Sequence, residues 1–105
     1  MRRLCSLHEI PEEGIVKIDL GDKQLLVARW GGRVFAADTW CTHEEADLSL
    51  GLLSEGTVVC PLHRARFRLK DGAVLEGPEG DPPESIPPLR THKVRVEGAE
   101  VYLVE

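Results

Sequence analysis

Two short segments carry metal-binding side chains: Cys41-Thr42-His43 and, after sixteen intervening residues, Cys60-Pro61-Leu62-His63. Each supplies one thiolate and one imidazole. Such a donor set suits either a 2Fe–2S cluster with mixed ligation or a single zinc ion held tetrahedrally. Cys-x-His is an awkward chelate for one tetrahedral ion, whereas alternate side chains of one loop reach two different metals. The cluster is therefore the first reading, and a zinc-stabilised interaction domain is the alternative. Two ferric ions, two sulfides, two thiolates and two neutral imidazoles make a formally neutral site, which becomes singly negative on reduction. A site less negative than an all-cysteine one accepts an electron more readily. The chemistry expected here is one-electron transfer. No nucleophile with an adjacent base and no nucleotide-binding glycine loop accompanies the motifs. Four protein ligands also leave no open metal position for a substrate, so no catalytic residue is assigned.

The elements that must position these ligands read as strands. Residues 15–20 and 25–30 are apolar or alternating runs separated by Gly21-Asp22, and 33–37 returns after Gly31-Gly32. Two adjacent glycines allow the positive φ angles of a two-residue hairpin turn. Residues 57–60 form a short strand ending on a ligand, and 64–70 turns at Asp71-Gly72 into 73–75. Residues 93–96 and 101–104 flank a Gly98-Ala99 turn. No stretch has a sustained helical period, because Gly or Pro interrupts the chain every ten residues or so. The expected class is all-β. Residues 77–88 differ: five of the seven prolines fall there, which makes an extended, stiffened loop. It is read as a surface connector or as a lid beside the metal site.

Size and charge narrow the function further. At 105 residues the chain is expected to be a single domain. A formal net charge of −5 argues against general nucleic-acid binding. No apolar run is long enough to span a membrane, and Met1-Arg2-Arg3-Leu4 leads into polar residues instead of a signal core. A cytoplasmic protein is expected. With Cys41 and Cys60 on metal, Cys5 remains as a small buried hydrophobe. His8 and His92 lack a partner at ligand spacing and are read as surface histidines.

Residues 41–63 resemble the Rieske ferredoxin signature, and Gly51, Phe67, Gly72 and Pro78 fall where such proteins place similar residues. The resemblance implies a Rieske-type fold, an antiparallel β-sandwich base of about 1–38 and 77–105 with a cluster-binding insert at about 39–76. It also implies one 2Fe–2S cluster, with Cys41 and Cys60 on the inner iron and His43 and His63 on the outer one. Respiratory Rieske proteins carry a disulfide between the two loops, where this chain has Ala46 and Leu62. They also aim a serine and a tyrosine hydroxyl at the cluster sulfurs, where this chain has Ala65 and Phe67. A hydrogen bond to a charged acceptor contributes roughly 1.5–3 kcal/mol, or about 60–130 mV for one electron. A potential near −150 mV, roughly the lower end of the Rieske range, is therefore expected.

Such a carrier is similar to the ferredoxin components of ring-hydroxylating dioxygenases. The implied partners are a flavin-dependent reductase and a terminal oxygenase or reductase. The small subunit of NAD(P)H-dependent nitrite reductase is the alternative of similar fold. Glycine usually follows the second histidine in dioxygenase ferredoxins, and Arg64 stands there instead. Arg64, Arg66, Arg68 and Lys70 alternate with Ala65, Phe67 and Leu69. A strand with this pattern shows four cations on one face, either a solvated face or a docking patch beside His63. Glu44, Glu45 and Asp47 would partly neutralise it. Leu62 is expected to shield the cluster from water, and Trp40 to act in packing more than as an electron relay.

Overall fold

A computed structural model describes residues 1–42, 46–62 and 64–104. Among these, eleven strands build three antiparallel sheets. Strands β1 (Arg2–Ser6), β10 (Val94–Glu97) and β11 (Glu100–Leu103) form one, in the order β1-β11-β10. The second runs β2 (Gly14–Asp19), β3 (Gln24–Trp30), β4 (Arg33–Asp38) and β9 (Thr91–His92). The third runs β5 (Leu52–Ser54), β6 (Thr57–Val59), β7 (Arg66–Arg68) and β8 (Val74–Glu76).

Strand β3 explains how one chain holds two cores. Leu25, Leu26, Val27 and Ala28 are all fully buried, as a continuous apolar run should be when both faces of a strand are covered. Successive side chains point to opposite faces. Leu25 and Val27 pack with Leu4, Cys5, Val101 and Leu103 from the sheet of the chain ends. Leu26 and Ala28 pack with Cys41, Leu48, Cys60 and Phe67. Both expected ligand cysteines therefore share one apolar cluster, and β3 is its floor.

The Gly31-Gly32 turn has the expected form: Trp30 pairs with Arg33, and both glycines have positive φ (59° and 75°). The Gly98-Ala99 turn likewise joins the paired residues Glu97 and Glu100. The expected strand over 64–70 is shorter, because β7 spans only Arg66–Arg68. Its neighbour β6 offers three residues, and the β7–β8 ladder shifts register between Arg66 and Phe67. Three strands had no clear sequence signal. In β1 a register shift between Arg3 and Cys5 obscures the alternation. Strand β5 is three residues long and β9 two.

Candidate metal centre

The two cysteines start two loops of matching construction. The backbone N–H of Cys41 donates to the carbonyl of Ala46 at 2.9 Å, and that of Cys60 to the carbonyl of Ala65 at 2.8 Å. In each case a cysteine and an alanine five positions later close a four-residue tip. Both alanines are buried beneath their loops. The parallel between Cys41-Thr-His-Glu-Glu-Ala46 and Cys60-Pro-Leu-His-Arg-Ala65 is visible in the sequence once the alanines are counted. Each tip carries one of the expected histidines; His43 and His63 lie outside the described residues.

Below the tips, the loops rest on backbone pairing. Trp40 bridges Asp47, and Leu48 N–H donates to Thr39 O at 2.6 Å, so the first loop continues the end of β4 as a narrow hairpin. The second loop is seated on β6 and β7, with Val59 opposite Arg66. Arg64 N–H also donates back to Cys60 O at 3.1 Å. That turn requires Arg64 to take φ +60°, a left-handed conformation that glycine adopts more readily than arginine. Arg64 holds this left-handed conformation despite its Cβ. Gly51 lets the loops approach: a Cβ there would lie 2.0 Å from Val59 O.

Sequence reasoning missed the residue that fastens the first loop. The Asp47 carboxylate accepts from Thr39 Oγ1 at 2.6 Å, Ser49 Oγ at 2.7 Å, Ser49 N–H at 3.0 Å and Lys17 Nζ at 2.9 Å. Burial opposes its ionisation, but the donors from Ser49, Thr39 and Lys17 outweigh that and hold its carboxyl far below the usual range. Asp47 therefore does not spread negative charge over the tip, as expected from its position; it locks the loop to β2 and β4. Lys17 also lies 4.9 Å from the centroid of the Trp40 ring. Trp40 is 45% exposed and sits under that cation instead of in the core. Glu44 and Glu45 lie outside the described residues.

The arginine row is also redistributed. Exposure alternates as the pattern requires, with Ala65, Phe67 and Leu69 buried. Arg66 faces Glu76 at 3.7 Å. Arg68 makes a two-pronged pair with Asp71 and draws that carboxyl down to about 2 through their hydrogen bonds. Lys70 lies beyond the far end of β7. A four-cation face is thus reduced to Arg64 and a partly engaged Arg66. Leu62, expected as a shield, is 60% exposed. His92 is not a surface histidine: its Nε2 lies 2.7 Å from Asp38 Oδ1, and its side chain is only 15% exposed. His8 is exposed, and Cys5 is buried, with its thiol pKa pushed up chiefly by that burial.

The proline-rich segment packs beside the loops. It forms two short 3-10 turns, Pro78–Gly80 and Pro83–Ser85, and Ile86 lies against the apolar cluster that contains both cysteines. Thr42 Oγ1 donates to Pro87 O at 2.8 Å, which ties the segment to the first loop.

Cys41 and Cys60 are buried in one cluster and form no disulfide. Two such thiols fit the sulfur half of a mixed donor set. Residues 1–104 match the Rieske 2Fe–2S domain. The chain belongs to the Rieske family. The ferredoxin subunit of 3-phenylpropionate/cinnamic acid dioxygenase from Photorhabdus laumondii is 34% identical to this Rieske chain over 101 residues, 95% of this chain and 90% of that one. The solved ferredoxin of carbazole 1,9a-dioxygenase from Nocardioides aromaticivorans IC177 shares 29% identity with a TM-score of 0.83, covering 96% and 93%. A chain in a solved complex of reduced oxygenase and oxidised ferredoxin of carbazole 1,9a-dioxygenase shares 28% identity with a TM-score of 0.84, covering 96% and 89%. The chain is a Rieske ferredoxin of the dioxygenase type, an electron-transfer component and not a catalyst. That match favours iron and sulfide over the zinc alternative, because the matched domain is a 2Fe–2S one. No helix among the described residues is long and apolar enough to cross a membrane.

Proposed function

We propose that this ferredoxin holds one 2Fe–2S cluster through the thiolates of Cys41 and Cys60 and the imidazoles of His43 and His63. It takes electrons from a flavin-dependent reductase and passes them to a terminal oxygenase in the cytoplasm. The observation that carries the reading is the pair of matched tips, each beginning with a buried cysteine, over one apolar cluster. When bound, the cluster supplies one-electron chemistry. The chain's own residues do the rest. Leu26, Leu48, Val58 and Phe67 are fully buried around the thiols, and such apolar surroundings control the solvent access and dielectric of a metal site. Buried Ala65 and Phe67 offer no side-chain hydroxyl, which keeps the potential low. Asp47 and Thr42 fix the first tip from two sides. The oxygenase as electron acceptor is supported by the relatives, which are named as dioxygenase components or stand in a complex with an oxygenase. We also read residues 39–76 as the cluster-binding insert on a base of 1–38 and 77–105.

The test is metal analysis with stoichiometric reduction. Two irons and two acid-labile sulfides per chain, accepting one electron, support the reading. Cys41→Ser and His63→Ala should each abolish that stoichiometry while the sheet of the chain ends remains folded. One zinc per chain in anaerobically prepared protein would overturn it.

A further inference from the structure

Arg64 is a charged residue in a conformation that favours glycine, beside the second cluster loop. Its φ of +60° is unfavourable for any residue with a Cβ, and its side chain is exposed. Among the described residues, no hydrogen bond or ion pair engages its guanidinium. Arg66 and Arg68, by contrast, are matched with Glu76 and Asp71. Arg64 lines two adjoining surface grooves, one with Val59, Leu62, Glu79 and the paired Arg66 and Glu76, and the other with Leu50, Leu52 and Pro61. Leu50, Leu52 and Leu62 are 77%, 72% and 60% exposed. Three large apolar side chains thus stand in water around one uncommitted cation.

From this, and resting on the electron-carrier reading, we infer that Arg64 is the electrostatic anchor of a docking surface with Leu50, Leu52 and Leu62 as its apolar contacts. Its occupant is a redox-partner protein that presents a carboxylate within an apolar surface. Charge is the argument for that chemistry. The whole chain carries −5 and repels an acidic partner at long range, so a local positive point on the second loop selects how that partner lands. Backbone strain at Arg64 opposes the native fold. Glycine would relieve it, and the guanidinium is what glycine lacks.

The test uses the cluster-loaded protein, normalised to iron content, with two haem proteins as defined acceptors: acidic cytochrome b5 and basic cytochrome c. At low ionic strength Arg64→Gly should reduce cytochrome b5 about three- to tenfold more slowly than wild type, and Arg64→Lys should recover most of the rate. The deficit should shrink as salt is added, and cytochrome c should show no such loss. Leu52→Ser should slow transfer to cytochrome b5 at low and high salt alike. Arg64→Gly should also shift the urea midpoint upward. Equal rates for wild type and Arg64→Gly toward cytochrome b5, with the same salt dependence, would overturn the inference. So would wild-type protein that reduces cytochrome c but not cytochrome b5. A protein with no reducible cluster would remove the electron-carrier reading itself, a failure seen in the spectrum before any partner is added.

Discussion

Asp47 shows how much one side chain does for this site. Its carboxylate collects three side-chain donors and a backbone N–H from three parts of the chain, and hydrogen bonds to a charged group contribute about 1.5–3 kcal/mol. Asp47→Ala leaves Thr39 and Ser49 without their acceptor and should cost about 3 kcal/mol in urea unfolding. The pH dependence has a definite sign. A folded pKa below the unfolded one means that the ionised form stabilises the fold. That contribution is complete above the unfolded value of about 3.9 and is lost as pH falls toward the depressed folded value. The stability difference between wild type and Asp47→Asn should therefore be flat down to about pH 5 and narrow below about pH 4. A gap that widens on acidification would contradict the hub. Phe67 gives a second prediction at this scale. Phe67→Tyr offers a hydroxyl toward the sulfur side and should raise the potential by roughly 60–130 mV, as film voltammetry would read. An unchanged potential would mean that the hydroxyl finds another partner.

Among the elements, the first loop and the turn between β7 and β8 depend on close backbone approach. A Cβ at Gly51 would meet Val59 O at 2.0 Å, and one at Gly72 would meet Leu89 O at 1.9 Å where φ is also +76°. Neither carbonyl can move without breaking a sheet edge or the anchor of the proline-rich segment. Gly51→Ala and Gly72→Ala should each destabilise by more than about 2 kcal/mol, a size associated with named structural faults and not with surface change. Thr42→Val tests the link to Pro87. It should leave global stability within about 1 kcal/mol and speed cluster loss to a chelator. The sequence made much of this level legible. Alternation and glycine turns placed β2, β3, β4, β10 and β11, because those strands are long enough to show a period. Strands β5 and β9 are too short for one, and charged Arg64 and Lys70 extended the alternation past the true ends of β7. The cysteine motifs stood out because the proposed metal ligation would fix residue type as well as spacing. Asp47 did not, since a half-buried acid hub has the same letters as a solvated loop.

For the molecule as a whole, β3 divides a core that belongs to the chain ends from one that belongs to the cluster. Only the second core contains Cys41 and Cys60, so cluster loss should loosen the loops, β5–β8 and the proline-rich segment before the sheet of the chain ends. Hydrogen exchange on apoprotein should show protection lost across residues 46–76 and kept at β1, β10 and β11. Uniform loss would mean that the two cores unfold as one. The central claim, that two cysteines and two histidines share one cluster, is tested most directly by pulsed EPR of the dithionite-reduced protein with 15N-labelled histidine. The account predicts couplings to two imidazole nitrogens, both shifted by the label, and loss of one in the His43→Cys or His63→Cys protein. A reduced cluster without any histidine nitrogen coupling would contradict it.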